Sequence, residues 1–160
     1  MSAKPAAVHG LPAGKGSYLV WFRVAEPLEF DCGALGTRRL DTGWTGYAGS
    51  AFGAGGLAAR LGRHLGSGGR PHWHIDYLRS HIAITEFWFS HDPQRREHLW
   101  AGVAAELPGA QRPVRGFGSS DCSCESHLVH LPARPVFSRF VGAVAAHAPE
   151  HLRLSRRRRR

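Results

Sequence analysis

The segment GWTGYAGSAFGAGGLAARLGRHL, residues 43–65, indicates the fold more clearly than any other part of the sequence. Its first part, residues 43–50, is rich in aromatic residues and glycine, which fits a short strand that enters a close turn. Residues 53–56 read as a flexible glycine-rich loop. Leu57, Leu61 and Leu65 then recur every four residues, which predicts a helix over residues 56–65 that ends at the glycines behind it.

Patterns on both sides of this segment predict further strands and helices. Strands are expected at residues 17–24 (SYLVWFRV), 27–40 with a turn near 33–36, 82–89 (IAITEFWF) and 126–131. Helices are expected at 72–80, at 93–107 with Asp92 as the capping residue, and at 136–148. This order predicts an α+β domain, in which a small mixed or antiparallel sheet of three to four strands is flanked by helices.

The length and composition fit one domain with a single core. The chain has 160 residues, and its five tryptophans and eight phenylalanines can fill such a core. We expect a loose leader at residues 1–15, the domain at 16–148 and a disordered basic tail at 149–160. There is no apolar run of membrane-spanning length and no secretory signal pattern. The three cysteines do not resemble a secreted disulfide framework, so we expect a cytoplasmic protein.

The charge points to a polyanionic partner. The formal net charge is +9, and the five arginines 156–160 supply more than half of it. Most of the other basic residues are also arginines. The planar guanidinium group of arginine makes bidentate contacts with two phosphate oxygens better than lysine does. Nucleic acid is therefore the leading candidate partner. The alternative explanation is a genome rich in G and C, which favours arginine codons.

Two sets of residues can carry phosphate chemistry. Arg60 and His64 lie four apart on one helix face, with Arg63 beside them, and can clamp a phosphate and transfer a proton. Tyr18 and Tyr47 stand near glycines at strand ends, where a phenol can orient a water molecule. The alternatives are a solvated helix face for the first set and two aromatic core residues for the second.

The combination of these features resembles the GIY-YIG nuclease superfamily, and most closely its small Uri-type branch. The resemblance lies in the segments GSYLV, YAGSAFGAGGLAARLGRHL, HWHIDYL and GFGSSDCSCESHL, which together span residues 16–131. Ser17 and Ala48 stand where that superfamily usually has isoleucine, but the glycine and tyrosine positions are kept. The resemblance implies a metal-dependent endonuclease that hydrolyses phosphodiester bonds, with DNA a more expected substrate than RNA.

The resemblance also implies a role for each matching residue. Tyr18 and Tyr47 would flank the attacking water, Arg60 would stabilise the charge on the phosphate, and His64 would assist proton transfer. Glu97 would anchor a single Mg²⁺ or Mn²⁺ ion, with Glu86 and Glu106 as weaker rivals. Further substrate contacts are expected from Arg63, Arg70 and His74.

Two other classes of function stay open. One is a module that binds nucleic acid without cutting it, using the basic surface and the aromatic residues. The other is an accessory domain in DNA repair, because the Uri-type branch also resembles segments joined to repair glycosylases in some chains. Whether the protein has a protein partner does not follow from the sequence.

Two histidine-containing clusters can be read as metal sites. Cys122, Cys124 and His127 could bind Zn²⁺, with His130 as a further ligand. The sequence favours packing with a hydrogen-bonded His127, because one residue between two cysteines strains a tetrahedral site and there is no second cysteine pair. The other cluster is His72, His74 and Asp76. On a strand all three would share a face and could bind metal, whereas on a helix only His72 and Asp76 do. The sequence favours a helix here, with a capping or substrate-facing role for the cluster.

Overall fold

The computed structural model describes residues 10–66, 69–120 and 122–159. These residues form seven strands, four α-helices and a short 3₁₀ helix at Gly33–Leu35. The strands are β1 (Gly16–Val24), β2 (Leu28–Asp31), β3 (Thr37–Leu40), β4 (Gly43–Ala51), β5 (Ile84–Ser90), β6 (Leu128–Leu131) and β7 (Leu154–Arg158). The helices are α1 (Gly56–Leu65), α2 (His74–Arg79), α3 (Glu97–Ala105) and α4 (Phe137–His147). The structure confirms the α+β class and the bounds predicted for α1.

The main sheet has five strands in the order β6-β4-β1-β5-β7, and every neighbouring pair is antiparallel. It is one strand wider than the three to four that the sequence predicts. The sequence also predicts one broken strand at residues 27–40, and this region forms the separate two-stranded hairpin β2–β3. The central strand β1 pairs along its whole length with β4, from Gly16 opposite Ala51 to Val24 opposite Gly43.

Helices cover both faces of the sheet, and this explains why β1 alternates only weakly between apolar and polar residues. Tyr18, Val20 and Phe22 pack with the leucines of α1 and with α2 on one face. Leu19 and Trp21 pack with residues of α3 and α4 on the other. A strand that is buried on both faces needs apolar residues at successive positions, so its sequence loses the two-residue period.

Helix α3 begins later than the sequence predicts. The expected start near Asp92 is wrong, because the carboxylate of Asp92 accepts hydrogen bonds from the backbone nitrogens of Gln94 (2.9 Å) and Leu152 (3.0 Å). The backbone nitrogen of Arg96 donates to the Ser17 hydroxyl at 2.9 Å. These bonds hold residues 91–96 as a turn, and the helix starts at Glu97. The shift places Glu97 in the first helical turn.

The prediction that residues 149–160 are disordered is also wrong for the described part of this segment. Leu154–Arg158 forms β7, which pairs with β5 at the edge of the sheet. The preceding residues are anchored: the Trp100 indole donates to His151 at 2.9 Å, and Arg96 pairs with Glu150 at 3.3 Å. Arg160 lies outside the described residues. These anchors outweigh the mutual repulsion of the arginines, which are spread along an exposed edge.

The leader expected at residues 1–15 is described only from Gly10 onward. Within this part, Pro12 is buried and Leu11 packs against the core. The Gly14 carbonyl accepts a hydrogen bond from the Leu57 backbone nitrogen at 2.8 Å. The described part of the leader is therefore attached to the start of α1. Among the described residues, no helix is both long and apolar enough to cross a bilayer.

Candidate functional site

A pocket of about 400 Å³ opens where the end of β4 meets α1 and the start of α3. It brings together Tyr47, Arg60 and Glu97, which lie on three different elements and which the sequence pattern assigns to one site. The rest of the lining is mostly polar and consists of Gly49, Ser50, Trp73, Arg95, His98, Gly118, Cys122 and His127. The pocket therefore combines a phenol, two guanidinium groups, a carboxylate, imidazoles and a thiol.

Arg60 and Arg63 both stack on Trp73. Their guanidinium carbons lie 4.3 and 4.4 Å from the centroid of its ring, which is within the range of cation–π attraction. Arg63 also pairs with the Asp76 carboxylate at 3.0 Å. The three stacked side chains line a neighbouring cleft of about 310 Å³. Trp73 thus orients Arg60 towards the pocket, while Arg63 is held by its pair with Asp76.

Asp76 caps α2 and holds this cationic face together. Its carboxylate accepts hydrogen bonds from the backbone nitrogens of His72 (2.8 Å) and Trp73 (2.9 Å) and from Arg79 (2.8 Å). Burial alone would raise the pKa of this carboxyl, but the hydrogen bonds and the two guanidinium groups hold it well below its usual range. Within the cluster His72, His74 and Asp76, it is therefore Asp76 that caps the helix, which is one of the two roles that the sequence favours.

Behind Tyr47 lies a buried pair formed by Tyr18 and His64. The Tyr18 hydroxyl is 2.7 Å from Nε2 of His64, and the edge of the His64 ring meets the Tyr47 ring at 6.2 Å between centroids. Burial lowers the pKa of His64 to about 3, helped by the positive charge of Arg60, so the imidazole is neutral near pH 7. Burial also raises the pKa of both phenols. Of the two tyrosines, Tyr47 lines the pocket and Tyr18 lies in the core.

Two glycines permit this close arrangement. A Cβ atom at Gly49 would overlap the Tyr18 hydroxyl oxygen on the neighbouring strand. Gly118 has a φ of +68°, and a Cβ there would come within 2.6 Å of the Tyr47 ring. Both tyrosine rings thus lie directly against glycine backbone, which accounts for glycine at these positions.

Of the three acidic candidates for a metal anchor, Glu97 is the one that lines the pocket. Glu86 is buried and accepts hydrogen bonds from Trp88 at 3.3 Å and Arg134 at 3.4 Å. Glu106 lies 3.2 Å from His147 on α4. A partly buried carboxylate that faces guanidinium groups across a polar pocket fits a divalent ion shared with phosphate oxygens and water. The residues present therefore suit Mg²⁺ or Mn²⁺ at Glu97.

The remaining substrate-contact candidates lie outside the pocket lining. His74 accepts a hydrogen bond from the Gly118 backbone nitrogen at 2.7 Å, so it positions the loop that carries Gly118. Arg70 is exposed, shortly after the two residues that the structure does not describe. Sequence reasoning misses Trp73 and Arg95 as pocket residues, because the stacking and the approach of the 91–96 turn are tertiary features.

Beside Glu97, four side chains form a His/Cys cluster: His98, Cys122, Cys124 and His127. Their ligand atoms all lie within 4.8 Å of one another, so the cluster can hold a metal ion. Sequence reasoning groups the two cysteines with His127 but misses His98, which comes from the first turn of α3. His130 is not part of the cluster, because its Nδ1 lies 2.8 Å from the Thr45 hydroxyl. No spacing rule links His98 to the later cysteines.

The fold and the pocket define a small α+β domain with a polar, mainly cationic site at one end of an antiparallel sheet. The chain belongs to the family described as "Domain of unknown function DUF123", whose model matches residues 17–148. Comparisons with curated proteins and with solved structures find no match. The matched range includes the residues of the pocket and of the cluster. Because the family description gives no function, the function is inferred from these residues.

Proposed function

We propose that this protein is a metal-dependent endonuclease that hydrolyses phosphodiester bonds in nucleic acid, as a member of the GIY-YIG superfamily close to its Uri-type branch. The observation that carries the proposal is the meeting of Tyr47, Arg60 and Glu97 in one pocket. Phosphodiester hydrolysis needs an oriented water, a charge clamp and stabilisation of the leaving group. These side chains, with a divalent ion, have the chemistry for all three tasks.

Arg60 would bind the scissile phosphate. Its guanidinium group is stacked on Trp73, so its N–H groups are held in place and little side-chain entropy is lost when they bind a phosphate. A preorganised charge of this kind stabilises the negative charge that builds up on the phosphate in the transition state. Arg95, which also lines the pocket, supplies a second positive charge for the same anion. Arg63 is held by its pair with the buried Asp76, which leaves Arg60 as the principal clamp.

Tyr47 would orient the attacking water through its hydroxyl. Its ring is fixed by edge contacts with His64 and with Phe117, whose centroid lies 5.7 Å away. The Tyr18–His64 pair behind it holds the ring of His64 in one orientation. In this proposal Tyr18 and His64 act by positioning Tyr47, because burial lowers the pKa of His64 to about 3 and makes its imidazole a weak proton acceptor.

Glu97 would hold Mg²⁺ or Mn²⁺ in the first turn of α3. When bound, such an ion supplies Lewis-acid stabilisation of the phosphate and its leaving oxygen. The protein provides one carboxylate and leaves the other positions to phosphate and water, which is usual for Mg²⁺. The three cysteines are free thiols, which is compatible with a cytoplasmic location.

A cleavage panel tests this proposal. Labelled single-stranded, double-stranded and branched DNA and RNA of the same sequences are incubated with the full chain in Mg²⁺ and in Mn²⁺. The proposal expects shortened products that need the divalent ion, with DNA preferred. Binding of every substrate without any cleavage, in either ion, would overturn it.

A second candidate is a module that binds nucleic acid without cutting it, on its own or as an accessory in DNA repair. The observation that favours it is β7, which presents Arg156, Arg157 and Arg158 as exposed residues on the sheet edge. Such a row can follow a phosphate backbone without any chemistry. A binder shifts a labelled oligonucleotide in a gel without shortening it, and an accessory protein shows activity only when its partner is added.

A further inference from the structure

The four ligand atoms of the His/Cys cluster already lie close together, all within 4.8 Å of one another. Nδ1 of His98 is 3.2 Å from Sγ of Cys124, and Nε2 of His127 is 3.3 Å from Sγ of Cys122. In tetrahedral zinc sites the metal–ligand lengths put neighbouring ligand atoms about 3.3–3.8 Å apart. The longest separation in the cluster is at most 4.8 Å, so rotation of side chains can close the site without rebuilding the backbone.

We propose that His98, Cys122, Cys124 and His127 bind one Zn²⁺ ion as a closed Cys₂His₂ site. Two thiolates and two imidazoles suit zinc, whereas Mg²⁺, Mn²⁺ and Ca²⁺ prefer oxygen ligands. Two thiolates also balance the charge of the ion, so a neutral site can lie partly buried. The chain thus has a soft-ligand site at the cluster and, beside it, an oxygen ligand at Glu97, whose carboxylate lies 3.5 Å from Nε2 of His98.

The short spacing between the cysteines does not exclude the site, because the loop directs each thiol to a different histidine. The Cys122 backbone nitrogen bonds to the Ser119 carbonyl at 3.3 Å, which turns the chain within the loop. Cys122 then meets His127 from its own loop, and Cys124 meets His98 from α3. The missing fourth ligand comes from a helix and not from a second cysteine pair.

The position of the site suggests what the zinc ion does. The loop 116–127 is closed by hydrogen bonds from the Gly116 nitrogen to the Glu125 carbonyl and from the His127 nitrogen to the Phe117 carbonyl, both at 2.8 Å. Zinc would join this loop to the first turn of α3 through His98, which is the residue after Glu97. A closed four-ligand site is structural. Its role would be to fix the pocket wall formed by Gly118 and Glu97.

Zinc binding as such does not depend on the proposed nuclease activity, and the test keeps the two apart. The full chain is purified without chelator, its zinc content is measured, and the metal is then replaced by Co²⁺ alone. We expect about one zinc per chain, intense visible bands typical of tetrahedral cobalt, and a thiolate-to-cobalt charge-transfer band in the near ultraviolet. The Glu97→Gln variant should keep the zinc even if it loses cleavage.

Single ligand variants identify the site. Cys122→Ser and Cys124→Ser should each reduce the charge-transfer band. His98→Gln should weaken metal affinity by about 100-fold or more, because loss of a direct ligand should cost at least as much as loss of an outer-sphere partner, which costs up to about 100-fold. Cys32→Ala and His147→Gln are matched controls, because Cys32 is a buried thiol of the core and His147 lies on α4. Both controls should bind zinc like the wild type.

Thiol labelling of the wild-type chain tests the site without any substitution, so it applies even if the ligand variants fail to fold. Of the three free thiols, zinc should protect Cys122 and Cys124 from a thiol reagent, and a chelator should expose both. Protection that follows zinc, with labelling sites identified by mass spectrometry, supports the site. A zinc-free wild type that does not take up added Zn²⁺, or a cobalt complex without a thiolate band, would overturn the proposal.

Discussion

The hydroxyl of Tyr18 lies 2.7 Å from Nε2 of His64, and this bond joins the central strand β1 to helix α1 inside the core. His64 is almost fully buried, and Nδ1 of its ring has no hydrogen-bond partner among the described residues. A proton added to this ring would therefore meet a dry environment and the nearby charge of Arg60. The pair is stable only while the imidazole is neutral.

The first prediction concerns pH and the free energy of unfolding. The pKa of His64 is about 3 in the folded protein and about 6.5 when the chain is unfolded. Between these values the unfolded chain binds a proton that the folded chain excludes, so stability falls as the pH is lowered from 6.5 towards 3. One such group contributes about 1.4 kcal/mol per pH unit in this window.

Urea unfolding of wild type and His64→Leu at several pH values between 7 and 4 measures this contribution. The variant should be less stable at pH 7, because it cannot bond to Tyr18, but its stability should fall less steeply with acid. The exposed His147→Gln variant should keep the wild-type slope. An unchanged slope in His64→Leu would show that His64 is not the titrating group.

The second prediction concerns Asp76. Its carboxylate is 1% exposed and pairs with Arg63 and Arg79 as well as with two backbone nitrogens. Replacing it by asparagine removes the buried negative charge that faces these two guanidinium groups, which should cost about 3 kcal/mol at pH 7. Because the folded pKa is lowered, the contribution of Asp76 is present at neutral pH and disappears only in strong acid.

The exposed pair Arg39–Asp41 provides the control for this prediction. Asp41→Asn should change the free energy of unfolding by less than about 0.5 kcal/mol, as expected of a surface ion pair. Chemical denaturation of both variants at pH 7 makes the comparison. Equal losses in the two variants would mean that Asp76 does not hold the cationic face together.

The third prediction concerns the arginines of β7. Deleting residues 156–160 would remove most of an edge strand, so the sharper test keeps the strand and removes charge. Arg156 and Arg158 lie two residues apart and share one face of it. Changing both to glutamine should weaken binding to duplex DNA. It should also lower the salt dependence of affinity by about 0.9 log units for each phosphate that is no longer neutralised.

Turnover at saturating substrate should change little in this double variant, because neither arginine lines the pocket. Arg38→Gln with Arg39→Gln on β3 is the matched control and should keep the wild-type salt slope. Binding titrations at several salt concentrations give the slopes. If the β7 variant keeps the wild-type slope, the strand has no part in binding nucleic acid.

Much of this fold follows from local sequence patterns, and the exceptions have a common cause. The leucines of α1 and the apolar strands β1 and β5 carry their signal in the sequence, so these elements are predictable to within two residues. Strand β7 is not, because a run of arginines predicts a solvated chain. Its order comes from contacts of Glu150, His151 and Leu152 with distant residues, which no local pattern contains.

The candidate site shows the same division. Tyr47, Arg60 and Glu97 can be selected from motifs, and the structure places them in one pocket. His98 and Trp73 cannot be selected, because their importance arises only when α3 meets the loop 116–127 and when two arginines stack on one ring. The motif groups Tyr18 with Tyr47, but the pairing of β1 with β4 places Tyr18 behind the pocket wall.

Nuclease activity is tested most directly by the rate of Mg²⁺- or Mn²⁺-dependent cleavage of a labelled DNA substrate. The proteins compared are wild type, Arg60→Ala, Glu97→Gln and the exposed control Arg153→Ala. We predict cleavage by wild type and Arg153→Ala, a loss of about 10²-fold or more in Arg60→Ala, and a comparable loss in Glu97→Gln. Circular dichroism should show the same fold in all four proteins. Wild-type cleavage by a folded Arg60→Ala variant, or no cleavage by the wild type on any substrate, would contradict the proposed nuclease function.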